Sequence, residues 1–182
     1  MTHCEVLRDD SVFAVKLNPA AYVARPLFKS ISTAQIVFNT NFFTAKGVPI
    51  GVYDFGDVEL GERDLSKGNR PTIVIGEIEC EAGPLLIENG EICWRHGASI
   101  GKFREDVLRK TKHLALGYTK FGKLVAAFFD HHAMWEVARE MQRLGCVYAL
   151  NCDGGSSASL RVGDVVKGNP FVTVGIQLSR EE

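Results

Sequence analysis

The chain has 182 residues, of which 46% are hydrophobic and 24% charged, and its formal net charge is -1. That is enough chain for one domain with a sizeable core, residues 1–182, and too apolar a composition for disorder beyond the ends. A near-neutral balance leaves no long-range field to draw in polyanions, so nucleic acid is not an expected partner.

In chain order, Val12 to Leu17 is a β-branched and aromatic stretch that reads as a first strand, closed by Asn18-Pro19. Residues 19–30 are then predicted helical, short or kinked because of Pro26. Ala34 to Phe38 is the next strand and delivers Asn39-Thr40-Asn41-Phe42-Phe43 at its end. Residues 54–71, rich in Gly, Asp, Glu and Lys, read as an exposed connection.

Three short strands follow, Thr72 to Gly76, Pro84 to Glu88 and Glu91 to Trp94, the last two joined by the hairpin dipeptide Asn89-Gly90. Residues 96–110 mix loop and helix; their basic cluster is broken by Glu105 and Asp106 and reads as a solvated face. A second hairpin joins His113–Tyr118 to Leu124–Phe129 across Lys120 to Lys123.

From His132 to Leu144, Met134, Val137, Ala138, Met141 and Leu144 recur at the three-and-four spacing of one buried helical face. Asp130 is the expected N-cap and Gly145 the expected residue just past the C-terminus. Strand 146–150 comes directly after, so strand 124–129, the helix and strand 146–150 form a β-α-β unit with its two strands parallel. The tail, Phe171 to Leu178, returns to a β pattern. The predicted class is α+β: a mixed sheet of many short strands, one long helix and one or two short ones.

The unit ends in Asn151-Cys152-Asp153-Gly154-Gly155-Ser156-Ser157, where ligands of such units gather. A carboxylate followed by glycines and hydroxyls offers an acid/base group beside a concave row of N–H donors, which suits an anionic substrate.

Other chemistries fit less well. A serine nucleophile at Ser156 needs a following helix and a later histidine, whereas Gly163-Asp164 breaks the chain and the last histidine is His132. Cys152 beside Asp153 is held back as a thiolate by like charge and reads as a core residue. His131-His132 has no second Cys/His cluster to complete a metal site, and no Gly-Lys-Ser/Thr follows the glycines to make a nucleotide phosphate loop.

No metal or other cofactor is therefore predicted. The five cysteines have no paired spacing and read as free thiols. There is no leader-like N-terminus and no apolar run near the roughly 18 residues that span a bilayer, so a cytoplasmic protein without a membrane partner is expected.

Phe38 to Phe43, Pro49-Ile50-Gly51, Gly83 to Leu86 with Asn89-Gly90, Leu114 to Gly117, and Leu144-Gly145-Cys146 running into Ala149 to Ser157 occur in an order that resembles the phosphodiester glycosidase family. The resemblance spans residues 34 to 178, and this is the family of the lysosomal uncovering enzyme. It implies hydrolysis of the bond between a sugar's anomeric carbon and a phosphate on a single α+β domain.

Three departures stand out. The family's Asn-Gly-Gly-Phe-Phe is Asn39-Thr40-Asn41-Phe42-Phe43 here, an arginine before the Ala-Leu-Gly strand is replaced by Lys112-His113, and the third glycine after the aspartate is Ser156. On this resemblance Asp153 is the catalytic carboxylate. Gly154, Gly155, Ser156 and Ser157, with Lys112 or His113, would hold the phosphate; Asn39 and Asn41 would bind sugar hydroxyls, and Asn151 adjoins the pocket. A second carboxylate is expected, with Asp54 and Glu77 as candidates. The ligand is a small-molecule sugar phosphate or nucleotide sugar, and the rival reading is a protein of the same fold that binds such a ligand without cleaving it.

Overall fold

The computed structural model describes residues 4–55, 59–60 and 68–180. Its strands are β1 (Cys4–Arg8), β2 (Val12–Leu17), β3 (Tyr22–Ser30), β4 (Ile36–Asn39), β5 (Tyr53–Phe55), β6 (Glu59–Leu60), β7 (Thr72–Ile75), β8 (Ile78–Glu81), β9 (Leu85–Glu88) and β10 (Glu91–Ile92). Beyond them lie helices α1 (Trp94–Ile100) and α2 (Glu105–Leu108), strands β11 (Thr111–Thr119) and β12 (Leu124–His132), helix α3 (Met134–Arg143), and strands β13 (Cys146–Asn151), β14 (Ser159–Val162), β15 (Val165–Gly168) and β16 (Val172–Arg180).

They form a seven-stranded sheet in the order β1-β2-β12-β11-β13-β9-β10, a five-stranded sheet β15-β14-β4-β16-β3 and a four-stranded sheet β6-β5-β8-β7. The class is α+β. β12 and β13 run the same way, as the crossover through α3 requires, but β11 lies between them and pairs antiparallel with each. The parallel relation is thus realised across a third strand.

Both faces of the large sheet are buried, which is why Val12 to Val15 of β2 and Leu124 to Phe129 of β12 are continuous apolar runs rather than alternating ones. Phe13, Val15 and Leu17 of β2 and Leu124, Ala126 and Phe128 of β12 face a core shared with the two smaller sheets. Val12 and Ala14, and Val125, Ala127 and Phe129, face the opposite way, onto Met134, Val137, Ala138 and Met141 of α3. The helical face read from spacing is the one that is buried.

Four expectations change. Residues 19–30 are not helical: one 3-10 turn at Pro19–Ala21 leads into β3. Asp130 does not cap α3, because β12 runs on to His132; Ala133 holds the cap position and its N–H donates to Glu136 Oε2 at 2.7 Å. The expected strand at 91–94 stops at Ile92, and Trp94 opens α1. The connection over 54–71 lies largely outside the described residues, and strands β5 and β6 occupy its near end.

Gly145 does follow α3, with φ 90°, and Asn89-Gly90 turns β9 into β10 with φ 51° and 84°, both as expected.

Gly175 in β16 faces Asn39 of β4 across the pair. A Cβ there would stand 2.3 Å from Phe38 O and 3.1 Å from Asn39 Cα. Gly175→Ala is therefore expected to cost about 2–3 kcal/mol, read as a lowered denaturant midpoint at unchanged m-value.

Candidate active site

Asp153 follows β13 of the seven-stranded sheet, beside the point where β4 of the five-stranded sheet gives way to Thr40. Its N–H donates to Thr40 O at 3.0 Å, and Cys152 N–H donates to Leu114 O at 2.8 Å, so the residues leaving β13 are pinned between two strands. Asn39, the last residue of β4, completes the hold. Its Nδ2 donates to Asp153 O at 2.9 Å and its Oδ1 accepts from Ser159 N–H at 2.8 Å. One buried carboxamide thus grips the loop before and after Gly154–Ser157.

The loop lies against the start of β11. A Cβ on Gly154 would come within 2.9 Å of Lys112 O and 3.4 Å of His113 Nδ1, so only glycine permits this approach. Gly155 has φ 62° and begins a 3-10 turn over Gly155–Ser157 in which Ser157 N–H donates to Gly154 O at 3.2 Å.

Gly154 N–H donates to Asp153 Oδ1 at 2.9 Å. Burial pushes the Asp153 carboxyl up to about 6, and the hydrogen bonds from Gly154 N–H and the Ser157 hydroxyl only partly offset it. The result is a carboxylate that titrates close to neutrality.

Asp153 borders two neighbouring clefts. The larger, about 480 Å³, has Phe42, Phe43, Ile50 and Phe103 as its apolar wall and Arg70, Lys102 and Arg104 around it. The smaller, about 220 Å³, is walled by Arg109, Thr111, Asn151 and Gly154 to Ser156. Phe42, Asp106, Val107 and Asp153 belong to both. α2 forms the rim between them, with Arg104 just before it in the larger cleft and Arg109 just after it in the smaller. The Arg70 guanidinium stands 4.8 Å from the Phe103 ring centre and 5.9 Å from that of Phe42.

The structure distributes the sequence-derived residues unevenly. Asp153, Asn151, Gly154, Gly155 and Ser156 line the smaller cleft, and Ser157 bonds to Asp153 from within the loop. Asn39 and Asn41 are buried and line neither cleft; Asn41 Nδ2 donates to Val52 O at 2.8 Å. Lys112 is exposed and His113 buried, and neither is part of a cleft wall.

His113 Nε2 lies 3.2 Å from Arg109 O. Burial draws the imidazole below its ordinary value, although the Arg109 carbonyl and the neighbouring Asn151 carboxamide favour its charged form. Asn151 Oδ1 and His113 Nδ1 are both buried without a hydrogen bond of good geometry. Asp54 and Glu77 line neither cleft; the carboxylate that joins Asp153 in both is Asp106.

Sequence reading missed Asp106, Arg104, Arg109, Arg70 and Phe103. Their one signal was the mixed-charge run at 102–112, which resembles any solvated face until α2 is seen beside Asp153.

Cys152 is fully buried, and burial, then the neighbouring Cys80 and Asp153, drives its thiol well up, as befits a core residue. All five cysteines are unpaired. Among the described residues no group of three or more His, Cys, Asp or Glu is placed to hold a metal ion, and no helix is long and apolar enough to cross a membrane.

The model of the phosphodiester glycosidase family matches residues 11–178. No curated protein matches the chain. Among solved structures, the catalytic domain of zebrafish N-acetylglucosamine-1-phosphodiester alpha-N-acetylglucosaminidase, auto-inhibited by its pro-peptide, aligns with a TM-score of 0.71 at 15% identity over 98% of this chain and 81% of that one. A hypothetical protein from Synechocystis aligns with a TM-score of 0.72, also at 15% identity, over 98% of this chain and 61% of its own length. At such identity the two likenesses speak to the fold.

Proposed function

The chain belongs to the phosphodiester glycosidase family, and from that premise we propose that it hydrolyses a sugar-1-phosphodiester between the anomeric carbon and the phosphate oxygen. The observation that carries this reading is Asp153: a mostly buried carboxylate titrating at about 6, at the junction of two clefts that both present arginine.

Breaking the anomeric C–O bond places positive character on the sugar and returns the bonding pair to the phosphate. Ionised Asp153 stabilises the first, as countercharge or as nucleophile, and the guanidinium of Arg109 with Arg104 the second. Water then supplies hydroxide to the anomeric carbon and its remaining proton ends on the released phosphomonoester or solvent. A phosphate leaves without needing a strong acid behind it, which suits a site with one deeply placed carboxylate.

Asp106 takes the place of the second carboxylate. The smaller cleft, with Thr111, Asn151 and Ser156, is the sugar's place, and Asn39 acts by holding the loop rather than by touching the sugar. Arg109 supplies the bidentate fork that Lys112-His113 cannot.

The test is release of free sugar and phosphomonoester from a panel of sugar-1-phosphodiesters. Arg109→Ala is expected to lower kcat/KM about 100-fold, with Arg109→Lys recovering only part of it, since an ammonium lacks the fork. Tight binding without release of sugar would favour the binding-protein reading instead.

A further inference from the structure

We infer that the leaving half of the substrate is a nucleoside diphosphate whose base lies against Phe42 and Phe103 in the larger cleft. This rests on the sugar-1-phosphodiester reading and names what sits on the far side of the scissile bond.

The two clefts differ in kind. Beside Asp106, Arg109 and Asp153, the smaller carries neutral hydrogen-bonding side chains, Thr111, Asn151 and Ser156, as a ring of hydroxyls requires. Among the described residues, the larger has no neutral amide or hydroxyl side chain along its wall: its polar groups are Arg70, Lys102, Arg104, Asp106 and Asp153, and the rest is aromatic or aliphatic. A second sugar placed there would leave most of its hydroxyls without matched partners. A planar base on an anionic tether would find ring faces and cations.

Arg70 reinforces the assignment. Its guanidinium stacks over Phe103 and reaches toward Phe42, whose ring centre is 5.9 Å from that of Phe103, and its Nε is buried with no hydrogen-bond partner. The site is thus an aromatic pair backed by a guanidinium whose buried Nε has no partner among the described residues.

Charge gives the second phosphate. In a chain whose net charge is -1, Arg70, Arg104 and Arg109 are spread along one opening that holds two carboxylates. One phosphodiester brings a single negative charge, which Arg109 and Arg104 already meet. A diphosphate brings two in series, and the second meets Arg70 beside the aromatic wall. At about 480 Å³ the cleft is within the range of pockets that enclose a ligand of this size.

Calorimetric titration with UDP, inorganic pyrophosphate and a prenyl diphosphate tests the ligand class apart from turnover. UDP is expected to bind at least tenfold more tightly than pyrophosphate. Phe42→Ala, and Phe42→Leu as a variant that keeps the apolar bulk, should each weaken UDP about tenfold while leaving pyrophosphate within twofold, the signature of a lost stacking face. UDP no tighter than pyrophosphate, an equal loss of both ligands in the Phe42 variants, or a prenyl diphosphate tighter than UDP would each overturn the inference.

Turnover of UDP-glucose and of methyl glucosyl phosphate is measured in parallel. Cleavage of the methyl diester with weak UDP binding rejects the nucleotide and leaves the hydrolase. Tight UDP binding with neither diester cleaved rejects the hydrolase and leaves the nucleotide.

Discussion

Asp153→Asn is expected to remove turnover of sugar-1-phosphodiesters, by about a thousandfold or more, and to make the protein more stable at neutral pH. The first follows from taking away the charge that faces the developing cation. The second follows from the cost of holding that charge. The Asp153 carboxyl ordinarily titrates at 3.8 and here is pushed up to about 6, chiefly by burial.

Between about pH 4 and 6 the folded protein therefore keeps a proton that the unfolded chain has released, and stability falls as pH rises across that window. Two pH units correspond to roughly 3 kcal/mol, reduced to about 2 kcal/mol by the residue's partial contact with solvent. Asparagine still accepts from Gly154 N–H but carries no charge to bury. Denaturant unfolding at pH 7.5 should show the variant more stable by about 1–3 kcal/mol, and the gain should vanish near pH 4. A variant less stable at both pH values would sink the account of the raised pKa. In the unaltered protein kcat/KM should climb with pH through about 6, as Asp153 ionises.

Asn39→Ala should be among the most damaging single changes away from the carboxylate itself. Asn39 is 2% exposed, and its side chain joins residues 114 and 120 positions along the chain, Asp153 and Ser159. Truncation leaves a buried carbonyl and a buried N–H unpaired, at about 1–3 kcal/mol each, so a loss of roughly 3 kcal/mol is expected in chemical denaturation.

Activity should fall further than the folded fraction explains, because the loop that orients Asp153 loses its tie. Asn39→Asp separates positioning from mere stability. It keeps the acceptor for Ser159 N–H, loses the donor to Asp153 O and adds a like charge beside Asp153, so the pH profile of kcat/KM should move to higher pH. An unmoved profile in a folded Asn39→Asp protein would show that Asn39 has no hold on the carboxylate.

The residues that misled and those that informed differ in a physical way. Pro26 argues against a regular helix, and the same residue sits comfortably in β3, because β3 is the edge of the five-stranded sheet and an edge strand tolerates a missing N–H. That placement depends on β16, 150 residues further along, and no local window contains it. β8 and the β14/β15 hairpin escaped notice for a similar reason, being four-residue strands whose pairing partners, rather than their own pattern, define them.

By contrast, α3, the hairpins at Asn89-Gly90 and Lys120 to Lys123, and strands β2, β4 and β13 were legible, since their apolar spacing and turn residues are short-range signals.

The same division runs through the site. By itself the sequence determined the carboxylate and its glycine-rich loop at a strand end, because a chain turn, a close backbone approach and a strand terminus are written in adjacent residues. Only the tertiary structure decided what surrounds that carboxylate. It set Asn39 across the loop as a brace, brought Asp106 of α2 and Arg109 just past it to a cleft shared with Asp153, and placed Arg70 and Phe103 with Phe42 on the wall of the larger cleft. Those residues reach Asp153 from separate strands and loops. Burial, which raises the Asp153 carboxyl toward neutrality, is a property of the packed assembly and of no segment within it.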